Sequence, residues 1–96
     1  MFTHAVLFMV KPKELAKYRK DSLMWASYTR RAPGFLSYRT LKRLEYANQY
    51  FSVYLWDKKA SHDKFMRKYH DWLVRKSCAK VTVLGYYNLK QLDRVG

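Results

Sequence analysis

The sequence predicts an α+β fold in which a four-stranded antiparallel sheet carries two helices on one face. Two observations lead to this prediction. Four segments are rich in β-branched and aromatic residues, and two longer segments between them contain no glycine or proline. The 96 residues, 49% of them hydrophobic, suffice for one domain with a modest core. We therefore expect a single domain over residues 1–96.

The first half of the chain predicts a strand followed by a helix. Residues 3–11 (THAVLFMVK) stop at Pro12 and are typical of a buried strand. Residues 13–31 carry a stripe of helical spacing, formed by Leu15, Tyr18, Ser22, Trp25, Ala26 and Thr29. Pro33 restricts the residue before it to extended backbone, and Gly34 tolerates a positive φ. The pair therefore ends the helix and begins a strand.

The second half of the chain predicts a hairpin, a helix and a last strand. Residues 35–44 and 50–56 are two strands joined by the polar turn 45–49, which makes an antiparallel hairpin. Residues 58–77 have a helical pattern, and residues 79–90 form the last strand. The order β-α-β-β-α-β is the ferredoxin-like arrangement.

Both faces of the predicted sheet are apolar. The first strand sets Ala5, Leu7 and Met9 against Val6, Phe8 and Val10; the third sets Phe51, Val53 and Leu55 against Tyr50, Tyr54 and Trp56; the last sets Val81 and Val83 against Leu84 and Tyr86. Two helices cover only one face, so several hundred Å² of apolar surface would stay exposed, worth on the order of 10 kcal/mol at about 25 cal/mol per Å². We expect a second copy to cover it in a two-fold homodimer.

Charge and cysteine content restrict the partners and the compartment. The formal net charge of +13 attracts anions, among them nucleic acid, acidic lipid or an anionic small molecule. The single cysteine, Cys78, excludes an internal disulfide and suits a reducing compartment. The apolar run 5–10 is too short for a membrane span or a signal peptide. We therefore expect a cytoplasmic protein with no membrane partner.

Two stretches resemble a known family. APGFLSYRTLKR, followed by YFSVYLWDKKASHDKF, resembles the antibiotic biosynthesis monooxygenase-like family, with a Pro-Gly-Phe turn at 33–35 and a Trp-ending strand, polar link and helix start at 56–65. The opening HAVLFMVKP also resembles the sister stress-responsive barrel family. The resemblance implies a dimeric α+β barrel. Some members of the family oxidise polycyclic aromatic substrates with oxygen and without a bound cofactor. The resemblance therefore implies that this chain also uses no bound cofactor.

The resemblance also bears on individual residues. Haem-degrading members use an Asn on strand one and a Trp and a His on the second helix. Here Phe65 and Arg75 stand at the helix positions and residues 3–11 contain no asparagine, which argues against that activity. Quinone-forming members use an Asn and a Trp on strand three and a Tyr at the start of helix two. Trp56 matches that Trp, Ser52 takes the Asn position and His62 falls near the Tyr.

The residues themselves indicate a pocket between sheet and helices. Ser52, Tyr54 and Trp56 alternate on one strand face and suit a planar ligand, a small-molecule substrate that is expected to be anionic. The candidate catalytic residues are His4 and His62, because imidazole titrates near neutral pH and can act as a general base.

Trp25 and Trp72, one on each helix, are expected in the core and at the pocket mouth, and Trp25 and His70 are expected to contact the substrate. His62 and His70 are eight residues apart and thus roughly 80° out of helical register, so we expect no metal site.

Alternatives of other classes remain open. The first is a small-molecule-binding or stress-responsive barrel dimer without catalytic activity. The second is an RNA-binding module, suggested by Tyr50, Tyr54 and Trp56 together with the high charge. QYFSVYL lacks the glycine of the usual RNA-binding signature, so nucleic acid is disfavoured but not excluded. The basic residues of helix two predict a solvated face or one that steers an acidic ligand.

Overall fold

The computed structural model describes residues 1–96 and confirms the order β-α-β-β-α-β. Its elements are β1 (Phe2–Met9), α1 (Leu15–Thr29), β2 (Phe35–Lys42), β3 (Gln49–Trp56), α2 (Lys59–Lys76) and β4 (Thr82–Lys90). A 3₁₀ turn, Pro12–Glu14, leads into α1, because the fixed φ of proline suits a first helical position. Neither helix combines the length and the apolar composition that a membrane crossing requires.

The four strands pair antiparallel in the order β2-β3-β1-β4, with β1 and β3 in the centre. His4 lies opposite Tyr54 on β3 and opposite Asn88 on β4, and Val6 lies opposite Ser52. Side chains alternate between the two faces along a strand. All five of these residues therefore point to the same face, which is the one that the helices cover.

A bulge in β4 changes the predicted alternation of the last strand. The register with β1 shifts between Val83 and Gly85, which leaves Leu84 as the extra residue. Val83 and Tyr86 consequently both line the space under the helices. The expectation that Val83 and Tyr86 lie on opposite faces was wrong, because a single inserted residue reverses every side chain beyond it.

The Pro33–Gly34 pair joins α1 to β2, as predicted. Gly34 has a φ of 89°, in the left-handed region that favours glycine. Its carbonyl accepts a hydrogen bond from the backbone N–H of Asp57, at 2.8 Å. A side chain at this position would collide with Asp57 and Ser61, whose side chains are hydrogen-bonded to each other at 2.6 Å. The joint is thus fixed against the start of α2.

The core is a cluster of four buried side chains, Phe2, Trp56, Phe65 and Leu73. Leu73 is fully buried and Trp56 is 1% exposed. These residues come from β1, β3 and α2, and partly buried residues of α1, among them Met24 and Trp25, pack against them. The cluster therefore holds α2 on the central strands, and a cavity lies beside it under the helices.

The other face of the sheet has no helix on it and is apolar, as expected. The register places on it Ala5, Leu7, Leu41, Phe51, Val53, Leu55, Tyr87 and Leu89. Leu41, Tyr87 and Leu89 are 48%, 44% and 52% exposed. We call this set of residues the helix-free face. Its exposed apolar side chains are a surface that water solvates poorly.

Candidate functional site

A cavity of about 420 Å³ lies between the sheet and the two helices, and 13 of its 21 lining residues are hydrophobic. Its volume is typical of small-molecule sites, which occupy about 300–1,000 Å³. The structure brings all seven predicted site residues to this cavity, namely His4, Trp25, Ser52, Tyr54, Trp56, His62 and His70. They come from both central strands and both helices. The chemistry that they support depends on the hydrogen bonds described below.

His62 lines the cavity and carries an unprotonated, buried ring nitrogen. Its Nδ1 lies 3.1 Å from Oδ1 of Asp63, and a carboxylate can only accept, so Nδ1 donates and Nε2 keeps a lone pair. Nε2 is buried and has no hydrogen-bond partner. Burial lowers the pKa of His62; His4 acts in the same direction and the hydrogen bond to Asp63 opposes it. His62 is therefore a neutral acceptor at neutral pH.

His4 stands beside His62 in the same part of the cavity. The two ring centroids are 4.4 Å apart, and the planes are tilted by 40°. Nδ1 of His4 lies 2.9 Å from Oδ1 of Asn88 on β4, so His4 also donates through Nδ1 and keeps Nε2 as an acceptor. Asn88 and Asp63 were not among the predicted site residues. The contact of Asn88 with His4 follows from the β1–β4 register, and the bulge in β4 makes that register unpredictable from the sequence.

Trp56 adds a donor next to these acceptors. Its indole Nε1 is buried and has no hydrogen-bond partner. The Trp56 and His62 rings meet edge to face, 6.0 Å apart at 77°. Buried polar groups are nearly always hydrogen-bonded, so an unpaired donor and an unpaired acceptor side by side indicate a place where a ligand supplies both partners.

A network of hydroxyl groups forms another polar part of the cavity. Ser52 Oγ lies 2.7 Å from the Tyr18 hydroxyl and accepts a hydrogen bond from the Tyr38 hydroxyl at 3.3 Å. Tyr18 and Ser52 carry one hydroxyl hydrogen each, and the hydrogen bond between them uses one of the two. The other hydrogen is free for a ligand oxygen, since both residues line the cavity.

Burial keeps these phenols protonated. Burial raises the pKa of Tyr18 to about 12, against the hydrogen bond from Ser52 that lowers it. The pKa of Tyr54 is also raised well above its usual value, mainly by burial. Both side chains are therefore hydrogen-bond donors at neutral pH. Tyr18 was predicted only as part of the helix stripe, and its distance in sequence from Ser52 gave no signal of their contact.

Trp25 and His70 lie at the rim of the cavity. The Trp25 indole donates to Ser77 Oγ at 2.9 Å, and its ring meets His70 edge-on at 6.1 Å. His70 Nδ1 lies 3.1 Å from Oδ1 of Asp71, and the His70 side chain is 43% exposed. These two residues are positioned to contact the outer part of a bound molecule.

Two carboxylates of the α1 region hold the segment that connects α2 to β4. Asp21 accepts from the backbone N–H groups of Cys78 and Ala79, at 2.8–3.0 Å. Glu14 accepts from the N–H of Lys80 at 2.7 Å, and this bond is the main cause of its lowered pKa. Ser77, Ala79 and Val81 line the cavity. We call residues 77–81 the strap, because the segment forms part of the cavity wall and is fastened to α1.

The positive charge of the chain lies outside the cavity. No lysine or arginine is among the lining residues. The basic residues of the α2 region are all exposed on the surface, namely Lys58, Lys59, Lys64, Arg67, Lys68, Arg75 and Lys76. The expectation of an anionic substrate thus has no cationic side chain to support it inside the site.

Comparisons with known proteins show which family and which solved structures the chain is similar to. Residues 1–70 match the family model described as antibiotic biosynthesis monooxygenase. No curated protein matches the chain significantly. The family match covers β1 to the first part of α2 and so includes His4, Ser52, Trp56 and His62.

Solved structures share the same architecture. A candidate antibiotic biosynthesis monooxygenase from Deinococcus radiodurans has a TM-score of 0.82 and 15% identity, covering 100% of this chain and 97% of that one. SnoaB, a cofactor-independent oxygenase from Streptomyces nogalater, has a TM-score of 0.77 and 16% identity, covering 98% and 95%. A variant of MhuD with two manganese protoporphyrin IX groups per active site has a TM-score of 0.76 and 17% identity, covering 100% of this chain and 99% of that one. At such identities the likeness shows the fold alone.

Proposed function

This chain belongs to the antibiotic biosynthesis monooxygenase family, and from that premise we propose that its cavity oxidises a planar hydroxylated aromatic molecule with O₂ and without a bound cofactor. The observation that carries the proposal is the buried, unpartnered Nε2 of His62, a residue that lines a largely apolar cavity together with Trp56, whose indole N–H is also unpartnered. A neutral base in such a cavity can take the proton of a phenol.

The cavity fits this ligand class by its polarity. Apolar walls suit the faces of an aromatic ring system, and Nε2 of His62 or His4 accepts the ligand's hydroxyl hydrogen. The free hydrogen of the Tyr18–Ser52 pair can donate to a second oxygen. The ligand enters neutral and ionises inside, which is consistent with a lining without lysine or arginine.

The reaction balances without any further reductant. A phenol with hydrogen on the carbon opposite the hydroxyl reacts with one O₂ to give a quinone and water. His62 takes the hydroxyl proton, and the ring carbon of the phenolate gives electrons to O₂ and forms a C–O bond. The proton held by His62 passes to the peroxide. Loss of the C–H proton and cleavage of the O–O bond then release water and leave the second carbonyl. The substrate supplies all four electrons that reduce O₂.

Haem does not fit the residues present. At the two α2 positions where haem-degrading members carry a Trp and a His, this chain has Phe65 and Arg75. Phe65 is buried in the core cluster, 5.6 Å from the Trp56 ring, and Arg75 is exposed. Neither side chain can ligate iron. We therefore assign no step to a porphyrin.

Oxygen uptake with 1-naphthol as probe tests the proposal. We expect uptake of O₂ that depends on the protein, with formation of 1,4-naphthoquinone carrying one ¹⁸O atom when ¹⁸O₂ is supplied. Substitution His62→Gln should reduce the rate about 10²–10⁴-fold, the usual contribution of a general base. The control Lys64→Gln changes an exposed residue of the same helix. If phenols bind but none of a panel of them is oxidised, the chain is a binding protein instead, as the alternative prediction has it.

We also propose that two copies pack through the helix-free face. The support is its exposed apolar surface and the lack of any helix over it. Light scattering coupled to size exclusion should give twice the mass of the chain at micromolar concentration. Val53→Glu, a half-buried residue of that face, should give the mass of one chain, whereas Leu44→Glu, in an exposed loop, should not. A monomeric wild-type protein contradicts the proposal.

A further inference from the structure

A second group of aromatic side chains lies outside the cavity, between α1 and α2. The Tyr28 ring of α1 is 5.8 Å from the Tyr69 ring and 5.1 Å from the Trp72 ring of α2. All three residues are half-buried, and none lines the cavity. They therefore form one connected aromatic surface on the layer of helices.

Each of these rings has a cation over it. The distances to the ring centroid are 5.4 Å for Arg31 over Tyr28, 5.2 Å for Lys68 over Tyr69 and 5.6 Å for Lys76 over Trp72. All three cations are exposed, and none forms an ion pair with a carboxylate. We call these six residues the cationic aromatic patch. Each ring thus has a side chain that extends into solvent lying over it.

The charge around the patch is unbalanced. The helices α1 and α2 contain nine lysines and arginines and three aspartates. All three aspartates are engaged elsewhere: Asp21 with the strap, Asp63 with Lys59 and His62, and Asp71 with His70. The helix layer therefore attracts a partner with several negative charges.

We propose that the cationic aromatic patch binds single-stranded nucleic acid. Three cations without carboxylate partners can move from the rings to phosphates, and the ring faces that they leave can stack with bases. An acidic protein surface or a lipid headgroup would satisfy the cations but would leave the rings without a planar partner. The nucleic-acid interpretation of the sequence placed the contact on the sheet, whereas the structure favours the helices.

This proposal is independent of the proposed catalytic function. The patch shares no residue with the cavity. It also lies on the side of the sheet opposite the helix-free face, so it stays accessible in the proposed dimer. Activity and nucleic-acid binding can thus be lost separately.

Fluorescence anisotropy with a labelled oligothymidine of about 15 nucleotides tests the patch, since such proteins cover about 4–16 nucleotides per binding domain. We expect salt-dependent binding by the wild-type protein. The double variant Lys68→Glu, Lys76→Glu should bind at least about tenfold more weakly. It should also reduce the slope of log K against log salt by about 1.4, because each phosphate contact to a single strand contributes about 0.7.

Two controls separate this patch from general charge. Lys11→Glu, Lys13→Glu makes the same charge change at exposed residues that touch no aromatic ring, and should weaken binding less. Trp72→Leu keeps the charge and should weaken binding about fivefold or more through lost stacking. Equal effects of the two double variants, or unchanged binding by folded Trp72→Leu, would overturn the proposal. So would tighter binding to phosphatidylserine vesicles than to the oligonucleotide.

Discussion

The imidazole rings of His4 and His62 lie 4.4 Å apart at a tilt of 40°, and each donates its Nδ1 hydrogen to a side-chain oxygen outside the pair. Both Nε2 atoms therefore remain acceptors in one small volume. A positive charge on His4 would oppose protonation of His62, and His4 contributes to the lowered pKa of His62. The pair is thus suited to take one proton from a bound molecule.

The first prediction concerns the pH dependence of kcat/KM for oxygen uptake. Burial lowers the pKa of His62 below its ordinary value of 6.5, and the base must be neutral to act. The rate should rise with pH, with the midpoint of the rise below pH 6.5. The hydrogen bond to Asp63 raises the pKa of His62, and Asp63→Asn weakens it. In this variant the midpoint of the rise in kcat/KM should therefore move to still lower pH. If kcat/KM of the wild-type protein reaches half of its maximum only at or above pH 6.5, the assignment of His62 as the base is wrong.

The second prediction concerns the hydroxyl network. Ser52→Ala leaves the buried Tyr18 hydroxyl without its partner, which costs about 1–3 kcal/mol of the free energy of unfolding. Tyr18→Phe should cost about 1 kcal/mol, because Ser52 Oγ keeps its bond from Tyr38. The double variant should lose less than the two single losses together, since the partners are coupled. Urea unfolding measures all three, and additive losses would show that the bond does not contribute.

The third prediction concerns Gly34. Gly34→Ala should reduce the free energy of unfolding by more than about 1 kcal/mol, because a Cβ in the left-handed region is strained and this one would meet Asp57 and Ser61. Gly96→Ala is the matched control: Gly96 also has a positive φ, 100°, but nothing lies within 4 Å of its Cβ position. Thermal unfolding of both variants compares them. Equal stabilities would mean that the helix-to-strand joint does not need glycine.

The sequence predicted the elements and the composition of the cavity better than the contacts within it. Pro33–Gly34 and the two glycine-free segments locate the strands and helices to within three residues, the start of β4 at Thr82 rather than 79 being the largest difference, because local backbone preference and periodicity decide them. The alternation of Ser52, Tyr54 and Trp56 likewise puts all three on the cavity face.

Contacts between distant elements were not readable from the pattern. Leu84 is the extra residue of the bulge, and it moves every later side chain of β4 to the other face of the sheet. The contact between Asn88 and His4 could therefore not be predicted from the sequence. Tyr18 and Ser52 meet because α1 crosses β3, and the crossing is set by packing rather than by spacing. Tertiary contacts of this kind complete the site.

The fourth prediction concerns Glu14 and pH. Its carboxylate is stabilised in the folded state by the Lys80 N–H, which lowers its pKa below 4.5. A lowered folded-state pKa gives stability that is fully present above pH 4.5 and is lost as the pH falls through the lowered value. Wild type should therefore exceed Glu14→Gln in the free energy of unfolding by a constant amount above pH 4.5. The difference should narrow at lower pH, as urea unfolding can show. A difference that grows on acidification has the wrong sign for this account.

The last prediction concerns the strap and access to the cavity. Asp21 is the only side chain bonded to the N–H groups of Cys78 and Ala79, so Asp21→Ala should free both amides while the core cluster stays packed. Hydrogen exchange at Cys78 and Ala79 should then become faster, with exchange in β1 and β3 unchanged, because a local opening does not require global unfolding. The control Asp71→Ala removes a carboxylate that is 91% exposed and bonded only to His70. Since the strap is part of the cavity wall, a faster opening should also raise the dissociation rate of a bound naphthol. Unchanged exchange at Cys78 and Ala79 in Asp21→Ala would mean that the Trp25–Ser77 and Glu14–Lys80 bonds suffice to hold the segment.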